Sequence, residues 1–160
     1  MNVATATRPR LDAWVAFLRA HSAIRRQLNA DLLNEHGLTL SDYEVLLRLS
    51  RAENAMMRRV DLAESVVLTA SGITRLLEGL EQAGLVEKAS CASDARVSYA
   101  KLTDAGREKL EAAAATHLAG IEELFTSRFS ESELHALAGY LSRLPQTGAK
   151  QCAPAHDTCG

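Results

Sequence analysis

Asp94 and Arg96 flank a single alanine in the stretch SDARVSYAKLT, an acid and a base inside a small polar loop ahead of strand-forming residues. A surface pair of this kind adds little to stability. Either it is incidental, or it holds the guanidinium ready for something outside the chain. Upstream, Ser71, Thr74 and Arg75 combine two small hydroxyls with one arginine. Hydroxyls can bond phosphates or bases, and arginine can read guanine through two hydrogen bonds. Gly72, between them, leaves the backbone bare for close approach to a phosphate.

A third group lies near the N-terminus. On a helical wheel Trp14, His21, Arg25 and Leu32 share one narrow sector, with Phe17 close by. A charge in an apolar stripe needs a partner. One reading pairs Arg25 with a carboxylate across a dimer and leaves His21 a satisfied core histidine. The other is an anion-accepting pocket, with Trp14 and Phe17 as walls and His21 and Arg25 holding a carboxylate or phenolate. His117, on a later apolar stripe, is a secondary candidate by the same logic.

Cys91 falls between Lys88 and Arg96, cations that can lower a thiol pKa and make it reactive. A redox switch is one reading, an inert loop thiol the plainer one. Cys152, His156 and Cys159 offer three soft donors in CAPAHDTC, but their spacing fits no strong zinc signature. That stretch reads as a disordered tail, and no metal is expected. No nucleophile elbow, metalloprotease histidine pair or paired carboxylates stand out, so the chain is read as a non-enzyme without a cofactor.

The elements that must position these residues are mostly helical. The chain has 160 residues, 47% hydrophobic but only 4% aromatic, and alanine and leucine dominate. A flexible tail over 1–9 precedes a long helix from about Arg10 to Asn34, with Leu11, Trp14, Leu18, Leu28 and Leu32 as its stripe, broken by Gly37. A second helix, about Asp42 to Ala52, opens on a Ser41/Glu44 capping box with a Leu40/Val45 staple. RRVDLAESV, from Arg58 to Val66, reads as a third helix. Thr69 caps a fourth that ends at about Ala83, with Gly84 as its left-handed terminator. Two helices so joined have the helix-turn-helix outline. Leu85–Ala89 and Val97–Leu102 form a two-stranded ribbon. A long helix spans Thr103 to Phe129, and a last one, boxed by Ser130 and Glu133, runs to Leu144 before Pro145.

On the fourth helix Ile73, Leu77 and Leu80 point to a core, while Ser71, Thr74, Arg75 and Glu78 point away. A hairpin directly after a helix-turn-helix makes a winged helix, and its arginine can enter the neighbouring minor groove. The segment SGITRLLEGLEQAGLVEKASCASDARVSYAKLTDAGREKL resembles the MarR family of bacterial transcription regulators. Ser71, Thr74 and Arg75 match its recognition helix, Leu80 and Gly84-Leu85-Val86 the step after it, Asp94 and Arg96 its wing, and Leu102, Thr103 and Gly106 the start of its next helix. The resemblance implies a homodimer whose first and last two helices pair (10–37 and 103–144), with a winged helix-turn-helix over 38–102 reading double-stranded DNA; residues 145–160, with few bulky apolar groups, read as a disordered tail. It also implies a repressor that leaves a pseudo-palindromic operator when a small aromatic or anionic effector binds or a cysteine is oxidised.

Charge complicates that expectation. Over residues 58–101 the cations Arg58, Arg59, Arg75, Lys88, Arg96 and Lys101 are cancelled by Asp61, Glu64, Glu78, Glu81, Glu87 and Asp94. Ala89 and Ala95 stand where the family often has further basic residues. Few phosphate contacts mean modest affinity and a shallow salt slope. A winged-helix module that binds protein rather than DNA, and a cysteine-based redox regulator, are therefore the alternative readings. The N-terminal stretch MNVATATRPRLDAW has no apolar signal core, and no apolar run is long enough to span a bilayer, so a cytoplasmic protein without membrane contact is expected.

Overall fold

The computed structural model describes residues 8–66, 68–91 and 94–145; the side chains of residues 8–10 and 91–96 lie outside that description. Its elements run α1 (Arg8–His36), α2 (Leu40–Arg51), β1 (Met56–Arg58), α3 (Arg59–Ser65), α4 (Ala70–Gln82), β2 (Val86–Cys91), β3 (Asp94–Leu102), α5 (Asp104–Leu124) and α6 (Glu131–Leu141). The class is the expected one, mainly helical with a winged helix-turn-helix.

The helix α2 is the hub of the core, burying Leu40, Tyr43, Val45, Leu46 and Leu49. Its start differs from expectation. Thr39, not Ser41, is the N-cap, and Asp42, not Glu44, closes the capping box. Asp42 Oδ2 accepts from the Thr39 amide at 2.8 Å and from its hydroxyl at 2.7 Å. This register starts the helix at Leu40, whose side chain is buried and whose amide donates to Asn29 Oδ1 of α1 at 2.9 Å. Glu44 is thereby released for another partner.

Only the C-terminal half of the α1 stripe packs within the chain. Leu28 and Leu32 are buried, whereas Leu11, Trp14 and Leu18 are 46%, 56% and 41% exposed. The helix also starts earlier than expected, with Arg8 and Pro9 in its first turn rather than in a tail. The first turn tolerates proline because amides there have no intrahelical acceptor. The remainder of the N-terminal tail, and all of the C-terminal tail beyond Pro145, lie outside the described residues.

The expected β2–β3 ribbon forms, but its sheet has a third strand. β1 adds to it antiparallel, in the order β1–β3–β2, with Met57 opposite Ala100. The segment MMR carries no strand-former signal; it becomes a strand because β3 offers it a free edge. β2 and β3 are also longer than expected, leaving a shorter connection, and their ladder is irregular at Ser90/Cys91.

The helix α5 stops at Leu124 instead of Phe129. The Glu123 carbonyl is taken by the Arg128 Nε at 3.1 Å and the Ser127 hydroxyl at 3.2 Å, so the helix cannot propagate through it. The Phe125 and Phe129 rings then meet at a tilt, their centroids 5.5 Å apart across the turn. The Ser130/Glu133 capping box forms as expected. Its hydrogen bonds from the Ser130 amide and hydroxyl hold the Glu133 carboxyl below its ordinary value. α6 ends at Leu141, short of Leu144.

Candidate nucleic-acid interface

The fourth helix is built as its sequence implies. Ile73, Leu77 and Leu80 are buried, and Ser71, Thr74, Arg75 and Glu78 are exposed. Thr69 caps it, its hydroxyl accepting from the Gly72 amide at 3.1 Å. The Ser71 hydroxyl lies 3.2 Å from the same Thr69 oxygen. One of those two hydroxyl hydrogens is used between them, so the pair keeps one donor for a ligand. Thr74 differs: its hydroxyl donates to the Ala70 carbonyl of its own helix at 2.8 Å. Gly72 has a local reason besides any ligand. A Cβ there would sit 3.1 Å from Thr69 Oγ1, and its amide is occupied by the cap.

Electrostatically, the acids of this region neutralise both lysines of the wing. Lys88 pairs with Glu81 at 3.5 Å and Lys101 with Glu87 at 3.2 Å. Arg58 is held by Asp61 at 2.6 Å. Arg75 has no ion-pair partner among the described residues, which makes it the exposed free cation of α4. The sequence holds these charges but not their pairing, because Glu81 meets Lys88 only once α4 folds back on β2. Asp94 and Arg96 lie at the start of β3, with their side chains outside the description. The same holds for Cys91 at the end of β2.

The wing is fixed to the rest of the chain by Thr103. It caps α5, accepting from the Gly106 amide at 3.0 Å, and its hydroxyl donates to the Gly84 carbonyl at 2.7 Å. Gly84 has φ +72, the left-handed turn expected after α4.

The candidate effector residues form a ladder rather than a cavity in the single chain. Trp14 and Phe17 rings are 6.3 Å apart, as are those of Phe17 and His21. All are exposed on α1. Arg25 pairs with Glu44 of the same chain at 3.0 Å. Glu44 is available because Asp42 took its place in the capping box. Beyond Glu44, Tyr43 packs its ring 4.4 Å from His117 of α5. Burial pushes the Tyr43 hydroxyl up in pKa, against the opposing effect of Arg51. Burial pushes His117 down, against the pull of Glu44, and its Nδ1 is buried without a hydrogen-bond partner. Sequence reasoning ranked His117 below His21; its stripe position was the available signal. Two surface hollows lie elsewhere. One, of about 420 Å³, includes His36, Leu38, Gly79 and Lys109; the other, of about 710 Å³, includes Asp31, Glu35, Gly120 and Glu123. The described residues contain no cluster of three metal-ligating side chains. None of the described helices is long and apolar enough to cross a membrane. Cys152, His156 and Cys159 lie outside the described residues.

Comparison with known proteins agrees with this geometry. A family model described as the MarR family matches residues 36–97. The crystal structure of AbsC, a MarR family transcriptional regulator from Streptomyces coelicolor, is similar with a TM-score of 0.80 and 32% identity, covering 86% of this chain and 93% of AbsC. Sco3205 from the same organism, crystallised in complex with DNA, shares the fold with a TM-score of 0.81 at 24% identity, over 86% of this chain and 87% of that one. The HTH-type transcriptional regulator MhqR of Bacillus subtilis is 26% identical over 138 residues, 86% of this chain and 92% of MhqR.

Proposed function

The chain belongs to the MarR family of transcriptional regulators, and on that premise we propose that it is a homodimeric repressor that leaves a pseudo-palindromic operator on binding a small aromatic or anionic molecule. The observation that carries the DNA reading is α4: a capped helix with Ser71, Thr74 and Arg75 on its exposed face, the arginine without an ion-pair partner among the described residues. That face fits a major groove, where bulky side chains would hold the helix off the base edges. Sco3205, which shares the fold, was crystallised with DNA. For Asp94 and Arg96, whose side chains lie outside the description, we propose that the acid positions the guanidinium for the adjacent minor groove.

The dimer reading rests on exposed apolar side chains along the three long elements outside the winged helix. Trp14, Leu118 and Tyr140 are 56%, 62% and 60% exposed in the single chain, on α1, α5 and α6. Apolar surface spread over three helices is what a partner copy removes from water. On this reading residues 10–37 and 103–144 build the dimer and 38–102 the reading head. The effector binds where Trp14, Phe17, His21 and Arg25 meet the partner's surface, competing with Glu44 for the Arg25 guanidinium. Calorimetry with salicylate-like acids tests this part: affinity falls in His21→Ala and Arg25→Ala, and unchanged affinity in both removes the assignment.

The DNA reading is tested by selection from a random duplex pool, followed by titration of the enriched duplex. A defined, roughly symmetric sequence bound by two protomers supports it; no enrichment at low salt overturns it.

A further inference from the structure

Thr74 is the one hydroxyl on the exposed face of α4 whose hydrogen is committed to the helix itself, to the Ala70 carbonyl at 2.8 Å. Threonine carries a single donor hydrogen. Back-bonding of this kind takes it out of circulation. The exposed side chain then has a methyl group and hydroxyl lone pairs to offer. Thymine is the base that presents a methyl group in the major groove, beside an acceptor oxygen that Thr74 has no hydrogen left to meet. Adenine and cytosine expose amino donors there, and their recognition by a lone-pair acceptor forgoes the apolar contact.

We propose that Thr74 reads a thymine of each operator half-site through methyl–methyl contact, not by donating a hydrogen bond. This inference rests on the reading of α4 as the helix in the major groove, and it divides labour along that helix. Thr69 and Ser71 share one spare donor at the N-terminus, suited to a phosphate. Arg75, with no ion-pair partner among the described residues, supplies the charged contact. Thr74 adds an apolar one between them.

The experiment uses the full chain and a duplex recovered by selection from a random pool. Each thymine of that duplex is replaced in turn by uracil, which removes only the methyl group. The expected result is one thymine per half-site whose replacement weakens binding about fourfold, the worth of one buried methyl-sized group. Thr74→Val, which keeps the methyl and loses the hydroxyl, still distinguishes that thymine from uracil about fourfold. Thr74→Ser, which keeps the hydroxyl and loses the methyl, binds about fourfold more weakly and no longer distinguishes that thymine from uracil. Uracil substitution acts on unaltered protein, so misfolding of a variant does not obscure the outcome. If no thymine responds to uracil, or if Thr74→Val no longer distinguishes that thymine from uracil, the methyl assignment is overturned while the DNA reading stands. If no duplex is enriched, the DNA reading fails and this inference fails with it.

Discussion

The hydroxyl of Thr103 donates to the Gly84 carbonyl at 2.7 Å, tying the end of the reading helix to the start of α5 through one side chain. The same oxygen caps α5 at the Gly106 amide, and the Thr103 amide donates to the Leu85 carbonyl at 3.2 Å. The backbones approach so closely here that a Cβ on Gly106 would lie 2.0 Å from the Leu85 oxygen. Gly106→Ala therefore destabilises the fold by about 3 kcal/mol or more, since the clash is with backbone that cannot rotate away. Thr103→Val, which keeps the shape and loses both hydroxyl bonds, costs about 2 kcal/mol. Urea denaturation of both variants measures these losses, and a Gly106→Ala midpoint equal to the parent's contradicts the packing described.

Burial against Tyr43 gives the chain a predictable pH response. Desolvation lowers the His117 pKa, with Glu44 opposing. The ring is therefore harder to protonate folded than unfolded, where the ordinary value is about 6.5. Its contribution to stability is full above that value. It is lost progressively as pH falls from there to the lowered folded value, and then levels off. The urea midpoint should drop between pH 7.5 and 5.5 more in the parent than in His117→Gln. Equal drops in the two proteins would show that another group is responsible.

The exposed N-terminal half of α1 predicts the effect of charge there. Trp14 and Leu18 are already 56% and 41% exposed in the single chain. Trp14→Glu and Leu18→Glu together should leave the helical circular dichroism intact while sedimentation velocity reports a monomer. A double variant that still sediments as a dimer would place the interface elsewhere.

On the wing, Arg96→Ala should weaken duplex binding at least tenfold, about 1.4 kcal/mol, and Asp94→Ala by less, because it removes only the strut. Fluorescence anisotropy on the selected duplex reads both. Parent-like binding by Arg96→Ala means that the Asp94/Arg96 pair is incidental.

Much of this architecture was legible because its signals are local. Thr69 and Gly84 each announce a cap or turn by residue type alone, and the alternation of Ile73, Leu77 and Leu80 with Ser71, Thr74 and Arg75 declares both faces of α4. What escaped depends on tertiary context. Met56–Arg58 has no strand composition and is a strand only because β3 has an open edge. Ser41/Glu44 has the form of a capping box, but burying Leu40 shifts the start to Thr39 and Asp42. That shift of two residues is also why Glu44 reaches Arg25, a contact between residues on different helices that no spacing rule announces. The zero charge of residues 58–101 was plain in the sequence, whereas the pairing of Lys88 with Glu81 and Lys101 with Glu87, and the lack of an ion-pair partner for Arg75 among the described residues, required the fold.

Arg75 therefore carries the central claim, that α4 reads DNA. The most direct measurement is the affinity of the parent and of Arg75→Ala for the selected duplex at two salt concentrations. Binding should weaken at least tenfold in the variant, with a salt slope per protomer shallower by about one if the guanidinium lies on a phosphate, or unchanged in slope but relaxed at one position if it reads a base. Parent-like affinity, slope and sequence preference in Arg75→Ala would contradict the account.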